Sequence, residues 1–233
     1  MTDESLREIS RHGSADFPFA YYKEVIHQYQ KGYIEWHWHQ EFEWVYVLNG
    51  SLDCLIELER IHLESAEGLF LNQKTIHRFE SKDDATILNV LFLPDFIAAP
   101  NSLVYQETIQ PVLQSNCRYL AFQQHDQAIL DSLKQMMEQS EQGKSLDILV
   151  AVLQLWQLFF HTKQDLFKKQ LNHHNMLTKA RALQMAQFIT NNYQNKINLA
   201  DIAQAGRVSK SEALRCFHQI FQSTPIRFLI ECG

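Results

Sequence analysis

Cysteine, glycine and proline are scarce in this sequence. Its 233 residues include 4 cysteines, 7 glycines and 5 prolines. So little glycine and proline excludes collagen-like and low-complexity architectures. The cysteines, Cys54, Cys117, Cys216 and Cys232, form no close Cys-x-x-Cys pair, and so few in a chain of this length do not make a disulfide framework. We interpret them as the reduced thiols of a cytosolic protein.

Long apolar runs are also missing. The longest, residues 148–160, covers 13 residues and contains two glutamines, whereas a membrane-spanning helix needs about 20 apolar residues. The first ten residues are mostly polar, with two acidic side chains among the first four, unlike the start of a secretory signal peptide. These features predict a cytoplasmic protein that does not enter the membrane.

The formal net charge of −6 is unevenly distributed along the chain. From residue 177 onward, seven lysines and arginines face three acidic residues, whereas the preceding part has 14 basic and 24 acidic residues. A basic tail behind an acidic body suggests that the tail alone meets a polyanion. A chance distribution of surface charge is the alternative, and a motif is needed to decide between them.

Short runs with strand character occupy the stretch from about residue 17 to residue 93. In these runs aromatic and β-branched residues alternate with polar ones, which is typical of half-buried strands. The clearest runs are residues 33–36, 43–48, 52–58 and 85–91. Asn49-Gly50 lies between two of them and predicts a tight type I′ turn in a β-hairpin. Many short strands without intervening helices predict a barrel or a sandwich.

After Pro100 the apolar positions follow a helical period. Ile129, Leu133 and Met136 predict one helix, and residues 145–161 predict a second. The second helix is apolar almost all round, so both of its sides must be covered. The rest of the chain or a partner subunit can supply that cover, and a homodimer is the expected assembly.

The segment from residue 198 to residue 225 carries the strongest local signals. Asn198 is a good N-cap, and Gly206 is suited to the left-handed conformation that ends a helix. Residues 209–212, Ser-Lys-Ser-Glu, match the capping box that starts the next helix, and Pro225 opens another. Two short helices with basic residues at the start of the second predict a DNA-reading helix-turn-helix. A plain helical hairpin is the alternative.

The same segment resembles the first helix-turn-helix of AraC/XylS-type regulators. The matching residues are Asp201, Ile202, Ala203, Val208, Ser209, Ser211, Arg215, Phe217, Thr224 and Pro225. The resemblance implies that Ser211, Leu214 and Arg215 face the bases, where Arg215 forms a bidentate pair with guanine. It places Arg207 and Lys210 on phosphates.

The DNA-binding residues predicted in this way are Arg207, Ser209, Lys210, Ser211, Leu214 and Arg215. The sequence departs from the family pattern at position 207, where glycine is frequent in the family. The family also has a second helix-turn-helix unit. Only the start of the helix that joins the two units is expected here, at residues 228–230, so reduced affinity for DNA is expected as well.

The sensor domains of this family are cupin barrels, and the sequence resembles them at His37-x-His39 and Glu43, followed by His77. Residues i and i+2 of a strand point to the same face, so both histidines enter the barrel with the carboxylate. Lined also by His77 and Trp36 near its mouth, this pocket suits a small polar effector such as a sugar. A filled barrel, in which these side chains only satisfy one another, is the alternative.

The same four side chains, His37, His39, Glu43 and His77, are also a possible ligand set for Zn, Mn, Fe or Ni. A metal-dependent cupin enzyme, of the dioxygenase or isomerase class, is therefore the rival hypothesis. The second cupin motif is degraded, and a basic helical segment has no role in such chemistry. We accordingly expect no cofactor, no metal and no enzymatic activity.

The sequence thus predicts an α+β chain in three parts. Residues 1–110 form a cupin-like β-barrel (a double-stranded β-helix), residues 111–172 a helical linker and dimerisation region, and residues 173–233 an all-α helix-turn-helix segment. The expected function is a ligand-responsive, sequence-specific regulator of transcription. Its partners are double-stranded DNA, a small polar effector and a second copy of the chain. A shortened regulator that dimerises without binding DNA is the second alternative.

Overall fold

The structure, a computed structural model, describes residues 6–8, 12–29, 31–57, 59–168, 173–221 and 223–232. Nine strands lie in this part of the chain, and all the strand pairs are antiparallel. The strands are β1 (Phe19–Val25), β2 (Tyr33–His37), β3 (Phe42–Asn49), β4 (Leu52–Ile56), β5 (Glu59–Leu63), β6 (Gly68–Leu71), β7 (His77–Glu80), β8 (Thr86–Phe92) and β9 (Tyr119–Phe122).

The strands form two sheets that enclose an apolar core. One sheet has the order β1-β8-β3-β6-β9, and the other has the order β2-β7-β4-β5. Alternate residues of both sheets meet between them, among them Val45, Leu52, Leu69 and Phe79, each fully buried. This arrangement confirms the predicted cupin-like barrel, and period-2 patterning is its physical origin.

The hairpin predicted at Asn49-Gly50 is wrong. β3 pairs with β6 and β8, whereas β4 pairs with β5 and β7, so Gly50 carries the chain from one sheet to the other. Gly50 has a positive φ of 75°, and a Cβ there would lie 2.9 Å from Ala85 Cα. The glycine therefore serves a left-handed backbone and a close approach between loops.

Three α-helices follow β8, with strand β9 between the first two: α1 (Gln110–Gln114), α2 (Gln127–Gln142) and α3 (Ser145–Lys163). The predicted helices around Ile129 and at residues 145–161 correspond to α2 and α3. Their buried faces join the outer face of the five-stranded sheet in one aromatic cluster. There Trp44 lies 5.0 Å from Phe159, measured between ring centroids.

Strand β9 falls within residues 111–172, the range predicted to be helical. It pairs with β6 at the edge of the five-stranded sheet, so the barrel continues past residue 110. Only four residues form this strand, which is too short for alternation to stand out from a helical background. The predicted domain boundaries remain predictions.

Helix α3 is apolar on both sides, but the rest of the described chain covers only one of them. Val152, Leu155 and Phe159 are buried, whereas Leu146 is 72% exposed and Val150 45% exposed. The helical stretch Ser145–Lys168 is also long and apolar enough to cross a membrane by length and composition alone. Of its most apolar 18 residues, 33% are buried within the protein. The core helices of soluble proteins often meet the same criteria of length and composition.

Four more helices end the described chain: α4 (His173–Asn192), α5 (Leu199–Ala205), α6 (Lys210–Phe221) and α7 (Pro225–Cys232). Their apolar faces share one cluster, which includes Ile189, Ile202 and Phe217. Trp36 and Ile76 from the barrel belong to the same cluster. The helical segment is therefore docked on the barrel through apolar contacts.

Candidate functional sites: a barrel cavity and an exposed helix

A cavity of about 610 Å³ opens inside the barrel. Its wall combines carboxylates, tyrosines and a few apolar side chains. The lining residues are Glu8, His12, Tyr22, Glu24, Tyr29, Lys31, Tyr33, Ile34, Glu35, His37, Glu43, Phe79, Asn89 and Leu91. This volume is within the range of small-molecule sites, so the barrel is not packed solid on this side.

Four predicted side chains converge beside this cavity. Each of His37, His39, Glu43 and His77 is buried, and one ligand atom from each lies within 4.8 Å of the others. The Oε2 atom of Glu43 is 3.0 Å from Nε2 of His39 and 3.0 Å from Nε2 of His77. His37 and Glu43 line the cavity, whereas His39 and His77 contact the Glu43 carboxylate without lining the cavity.

Backbone carbonyls orient the three imidazoles of this cluster. Nδ1 of His37 is 2.7 Å from the carbonyl oxygen of Glu35, that of His39 is 3.2 Å from Glu41, and that of His77 is 3.0 Å from Thr75. Each Nδ1 therefore donates its proton to the backbone. The Nε2 atoms are left to face the shared interior, where a lone pair can be offered.

This arrangement needs a positive charge at its centre. Both nitrogens of His39 face oxygen acceptors, so either a proton or a metal ion must lie between its Nε2 and Glu43. Nε2 of His77 is fully buried and makes no hydrogen bond of acceptable geometry. Three preoriented nitrogens and one carboxylate fit a divalent transition metal by number and type.

The titration behaviour of the cluster follows from burial and mutual charge. Burial, together with the neighbouring His77 and His39, lowers the pKa of His37 to about 3. Burial acts to raise the pKa of Glu43, but His77 and His39 outweigh it and hold the pKa well below its usual value. His37 is therefore neutral and Glu43 ionised at neutral pH.

Trp36, which the sequence places at the mouth of the pocket, does not line the cavity. The pairing of β2 with β7 shifts register between Ile34 and His37, and the indole turns outward. It is 5% exposed and packs edge-on against Phe221 at the end of α6, with ring centroids 5.6 Å apart. The residue next to a cavity histidine thus contacts the helix-turn-helix segment.

Sequence reasoning missed the β1 and β8 side of the cavity. Tyr22 and Glu24 share one face of β1, and Asn89 faces them from β8. One signal was present, because Asn89 is the single polar residue in the run Ile-Leu-Asn-Val-Leu at 87–91. A polar residue that is buried in such a run must bond to something. Nδ2 of Asn89 donates to Oε1 of Glu43 over 2.7 Å.

The helix caps of the C-terminal segment largely follow the prediction. Asn198 caps α5 with a complete capping box, since its side chain accepts from the amide of Asp201 and its own amide donates to the Asp201 carboxylate. At α6 the amide of Glu212 donates to Ser209 Oγ over 3.2 Å. The Glu212 carboxylate pairs with Arg215.

The left-handed residue at the end of α5 is Arg207, with φ 53°, and not Gly206, whose φ is −78°. Gly206 is small for another reason, since a Cβ there would lie 2.8 Å from Cγ of Met185 on α4. The prediction that Gly206 adopts the left-handed conformation was therefore wrong. Glycine allows close packing of the turn on α4, and the next residue reverses the chain.

All six predicted DNA-contacting residues lie on the solvent side of this segment. The buried face of α6 consists of Ala213, Cys216, Phe217, Ile220 and Phe221. The exposed positions are Arg207, Ser209, Lys210, Ser211, Leu214 and Arg215. The structure thus gathers the six residues around the N-terminal half of one helix.

Arg215 is held by its neighbours on α6. Its Nε donates to Oε2 of Glu212 over 2.8 Å, its Nη2 to Oε1 of Glu212 over 2.7 Å, and its Nη1 to Oε1 of Gln219 over 2.8 Å. The hydrogen bond from Arg215 holds the pKa of Glu212 at about 2. Glu212 occupies one edge of the guanidinium, and Nη2 also lies 3.8 Å from Sγ of Cys216, so that only Nη1 keeps a further proton to donate.

Comparisons with known proteins identify the family of the chain. Residues 22–159 match the family described as the AraC-like ligand binding domain. Over 99% of this chain and 81% of the relative, the sequence is 32% identical to the "Uncharacterized HTH-type transcriptional regulator YdeC" of Bacillus subtilis (strain 168).

Solved structures give more distant similarities. ToxT from Vibrio cholerae O395, bound to (E)-4-(8-methylnaphthalen-1-yl)but-3-enoic acid, matches 92% of this chain and 99% of its own, with 12% identity and a TM-score of 0.45. A cupin-2 domain protein from Shewanella frigidimarina matches 34% of this chain and 72% of its own, with 20% identity and a TM-score of 0.27. The family model and the 32% identity to YdeC show that the chain belongs to the AraC-like family of ligand-responsive, HTH-type transcriptional regulators.

Proposed function

We propose that this protein binds double-stranded DNA sequence-specifically with helix α6, and that a small polar effector held in the barrel cavity changes its affinity for DNA. The observation that carries the proposal is the exposed N-terminal half of α6. Lys210, Ser211, Leu214 and Arg215 are all exposed there on a helix whose opposite face is buried. A helix presented in this way matches the dimensions of the major groove.

Each exposed residue has a role that its chemistry suits. Arg215 can donate two parallel hydrogen bonds to guanine from Nη1 and Nη2 when it exchanges its contacts with Gln219 and Cys216 for the base. Leu214 can contact a thymine methyl group. Arg207 and Lys210 flank the turn, where cations meet phosphates. Ser209 and Ser211, whose Oγ atoms are 3.0 Å apart, supply short hydroxyl groups at the N-terminus of the helix.

The barrel and the reading helix are connected through two strands of the smaller sheet. On β2, His37 faces the cavity while Trp36 packs on Phe221. At the start of β7, His77 faces the cluster interior, while the preceding residue, Ile76, joins the apolar core of the helix-turn-helix segment. An effector that moves the inward side chains would move their outward neighbours, and it acts through its differential affinity for the two arrangements.

A second copy of the chain is the proposed cover for the exposed side of α3. Leu146, Val150 and Leu153 are all exposed at helical spacing on this side. A symmetric dimer would bury this stripe against itself. Because the operator DNA of a dimer contains two half-sites, dimerisation would also supply phosphate contacts that one small module lacks. We place this assembly in the cytoplasm.

The test of DNA binding is a selection of random duplexes by the full chain at low salt, followed by affinity measurements on the selected sequence. Arg215→Lys should cost about 1–3 kcal/mol and relax the preference at one guanine position. Lys210→Ala should weaken binding to all sequences alike and lower the salt slope by about 1. Lys134→Ala, an exposed lysine on α2, should change neither quantity.

Failure to bind any duplex at low salt would contradict the proposal. It would favour the alternative in which the chain dimerises without binding DNA. Size measurement of the same samples then identifies this alternative, because a chain of that kind retains the dimer although it does not bind DNA.

A divalent metal at the four-residue cluster is a second candidate feature, favoured by the three preoriented Nε2 atoms. His37, His39, Glu43 and His77 would hold the ion. When bound, it would supply Lewis acidity for coordinating an oxygen atom of the effector. Membership in a regulator family favours such a binding role over catalysis.

Elemental analysis and thermal unfolding of the purified full chain test this feature. About one metal per chain is expected, with a rise in Tm on adding Zn²⁺ or Mn²⁺ to protein stripped with chelator. His77→Ala should abolish both, whereas His62→Ala, an exposed histidine outside the cluster, should not. Metal far below one per chain, with no change in Tm, would leave the cluster as an internal hydrogen-bonded network.

A further inference from the structure

One side of the barrel cavity, between β1 and β8, ends in a buried acceptor without a donor. Asn89 is 5% exposed, and its Nδ2 donates to Glu43 over 2.7 Å and to Glu24 over 3.4 Å. These two carboxylates fix the orientation of the amide, because the reverse orientation would aim its oxygen at both of them. Oδ1 of Asn89 is left buried and without a partner, which is unfavourable unless a ligand donates to it.

Glu24 is the second acceptor on this side of the cavity. Its Oε1 accepts from the hydroxyl of Tyr29, and its Oε2 accepts from Asn89. Both donors are neutral, so the charge of the carboxylate is not compensated by them. Burial, together with the nearby Glu43 and Glu8, raises the pKa of Glu24 above its usual value.

Of the three basic side chains of the cavity wall, His37 is neutral because burial lowers its pKa to about 3, and the other two are engaged with other carboxylates. Nζ of Lys31 lies 3.2 Å from Glu35, and Nε2 of His12 lies 2.9 Å from Glu8. Burial opposes the charge of His12, but its contact with Glu8 prevails and raises the pKa. Among the ion pairs of the described residues, Glu24 has none.

The distribution of charged groups in the cavity wall favours one class of effector over others. An anion would meet the carboxylates of Glu8, Glu24, Glu35 and Glu43 in one cavity. A neutral polyol could donate to Asn89 but would leave the charge of Glu24 unmatched. A protonated amine donates up to three hydrogen bonds and carries the missing charge. The tyrosine rings of the wall add faces that attract cations.

From this geometry we propose that the effector of this regulator is an organic amine, whose ammonium group is bound between Glu24 and Oδ1 of Asn89. The inference rests on the proposed function, since it names the chemical class of the ligand for the same cavity. It narrows the small polar effector expected from the sequence to one that carries a positive charge.

The experiment compares amines with neutral molecules of the same shape on the full chain. Putrescine is paired with 1,4-butanediol, and glucosamine with glucose, at neutral pH and with EDTA present so that metal does not vary. Thermal unfolding and calorimetric titration are the readouts. At least one amine should raise Tm and bind at least tenfold more tightly than its neutral partner.

Two matched variants test the assigned residues. Glu24→Gln removes the charge and keeps the shape, so it should weaken binding of the amine at least tenfold without affecting the neutral partner. Glu64→Gln makes the same change at an exposed carboxylate outside the cavity and should leave binding unchanged. Because folding of each variant is checked by Tm without ligand, a loss of binding is not confused with unfolding.

Equal binding of an amine and its neutral partner, or no binding of any amine, would overturn the assignment. An amine preference that survives Glu24→Gln would overturn it as well. None of these outcomes depends on DNA. A chain that binds the amine but no duplex would fail the proposed DNA binding alone, and a chain that binds duplex but no amine would fail this inference alone.

Discussion

Arg207 occupies a backbone conformation in which a side chain is unfavourable. Its φ of 53° lies in the left-handed region, which costs a residue with a Cβ roughly 1–2 kcal/mol. Its amide donates to the carbonyl of Gln204, so the turn between α5 and α6 depends on this geometry. An arginine at this position is consistent with a favourable interaction that offsets the backbone strain, and we propose that this interaction is a contact with a DNA phosphate.

Arg207→Gly is therefore expected to have opposite effects on folding and on binding. The free energy of unfolding should rise by about 1 kcal/mol, because glycine adopts positive φ without strain. DNA affinity should fall and the salt slope should decrease by about 1, because one phosphate contact is lost. Urea unfolding and salt-dependent affinity measure the two quantities.

Lys74→Gly is the matched control for this prediction. Lys74 also has a positive φ, of 58°, and is exposed on the barrel. The same loss of a cation and of strain there should stabilise the fold and leave the salt slope unchanged. If Arg207→Gly kept the full salt slope, Arg207 would not contact phosphate.

At the scale of single elements, the sequence correctly predicted those helix caps and helix starts that depend only on residues close together in the chain. The capping box of Asn198 and Asp201 and the start of α7 at Pro225 depend on neighbours a few residues apart, and both were predictable. The Asn49-Gly50 turn misled because turn chemistry does not specify which sheet the next strand joins. That choice depends on pairing partners far along the chain.

The same distinction explains the candidate site. His37, His39 and Glu43 lie close together in sequence, so strand parity predicted that they share an interior. Glu24 and Asn89 meet across 65 positions of the chain, and only the pairing of β1 with β8 brings them together. Trp36 was misplaced, because it directly precedes the inward-facing His37 and strand alternation puts it on the other side of the sheet, against Phe221.

The exposed side of α3 yields a prediction about assembly. Leu153→Glu places a charge in the stripe that we propose as the dimer interface, next to Val150, and should convert the dimer to a monomer. Sedimentation velocity at micromolar concentration measures the change. Thermal stability of the monomer should change little, because Leu153 is already 39% exposed.

Leu177→Glu serves as the control for the assembly, since Leu177 is 44% exposed on α4. It should leave the dimer intact. A wild-type chain that sediments as a monomer at all concentrations would remove the proposed role of α3.

At the scale of the whole molecule, the cavity and the helix-turn-helix segment lie against opposite faces of the four-stranded sheet. Lys179 of α4 adds a polar contact to the apolar docking, since its Nζ lies 2.9 Å from Oε1 of Glu57 on the barrel. Contacts between side chains of the barrel and of the helical segment therefore fix the position of α6 relative to the barrel strands. The same contacts contribute to the free energy of unfolding, although the sequence pattern assigned these side chains to separate domains.

A double-mutant cycle between Trp36 and Phe221 measures this link. Trp36→Leu and Phe221→Leu each remove one ring of the edge-on pair and keep apolar volume, so the chain should still fold. Because aromatic pairs contribute about 0.5–1.5 kcal/mol beyond buried area, the two losses in unfolding free energy should fail to add by about that amount. Trp36 paired with Phe228→Leu is the control, because Phe228 contacts Phe217 and Phe221 and should show a smaller coupling to Trp36. Strict additivity for Trp36 and Phe221 would mean that this ring pair does not couple the helix-turn-helix segment to the barrel, and an effector in the cavity would then have to act through Ile76, through the Lys179–Glu57 pair or through the dimer.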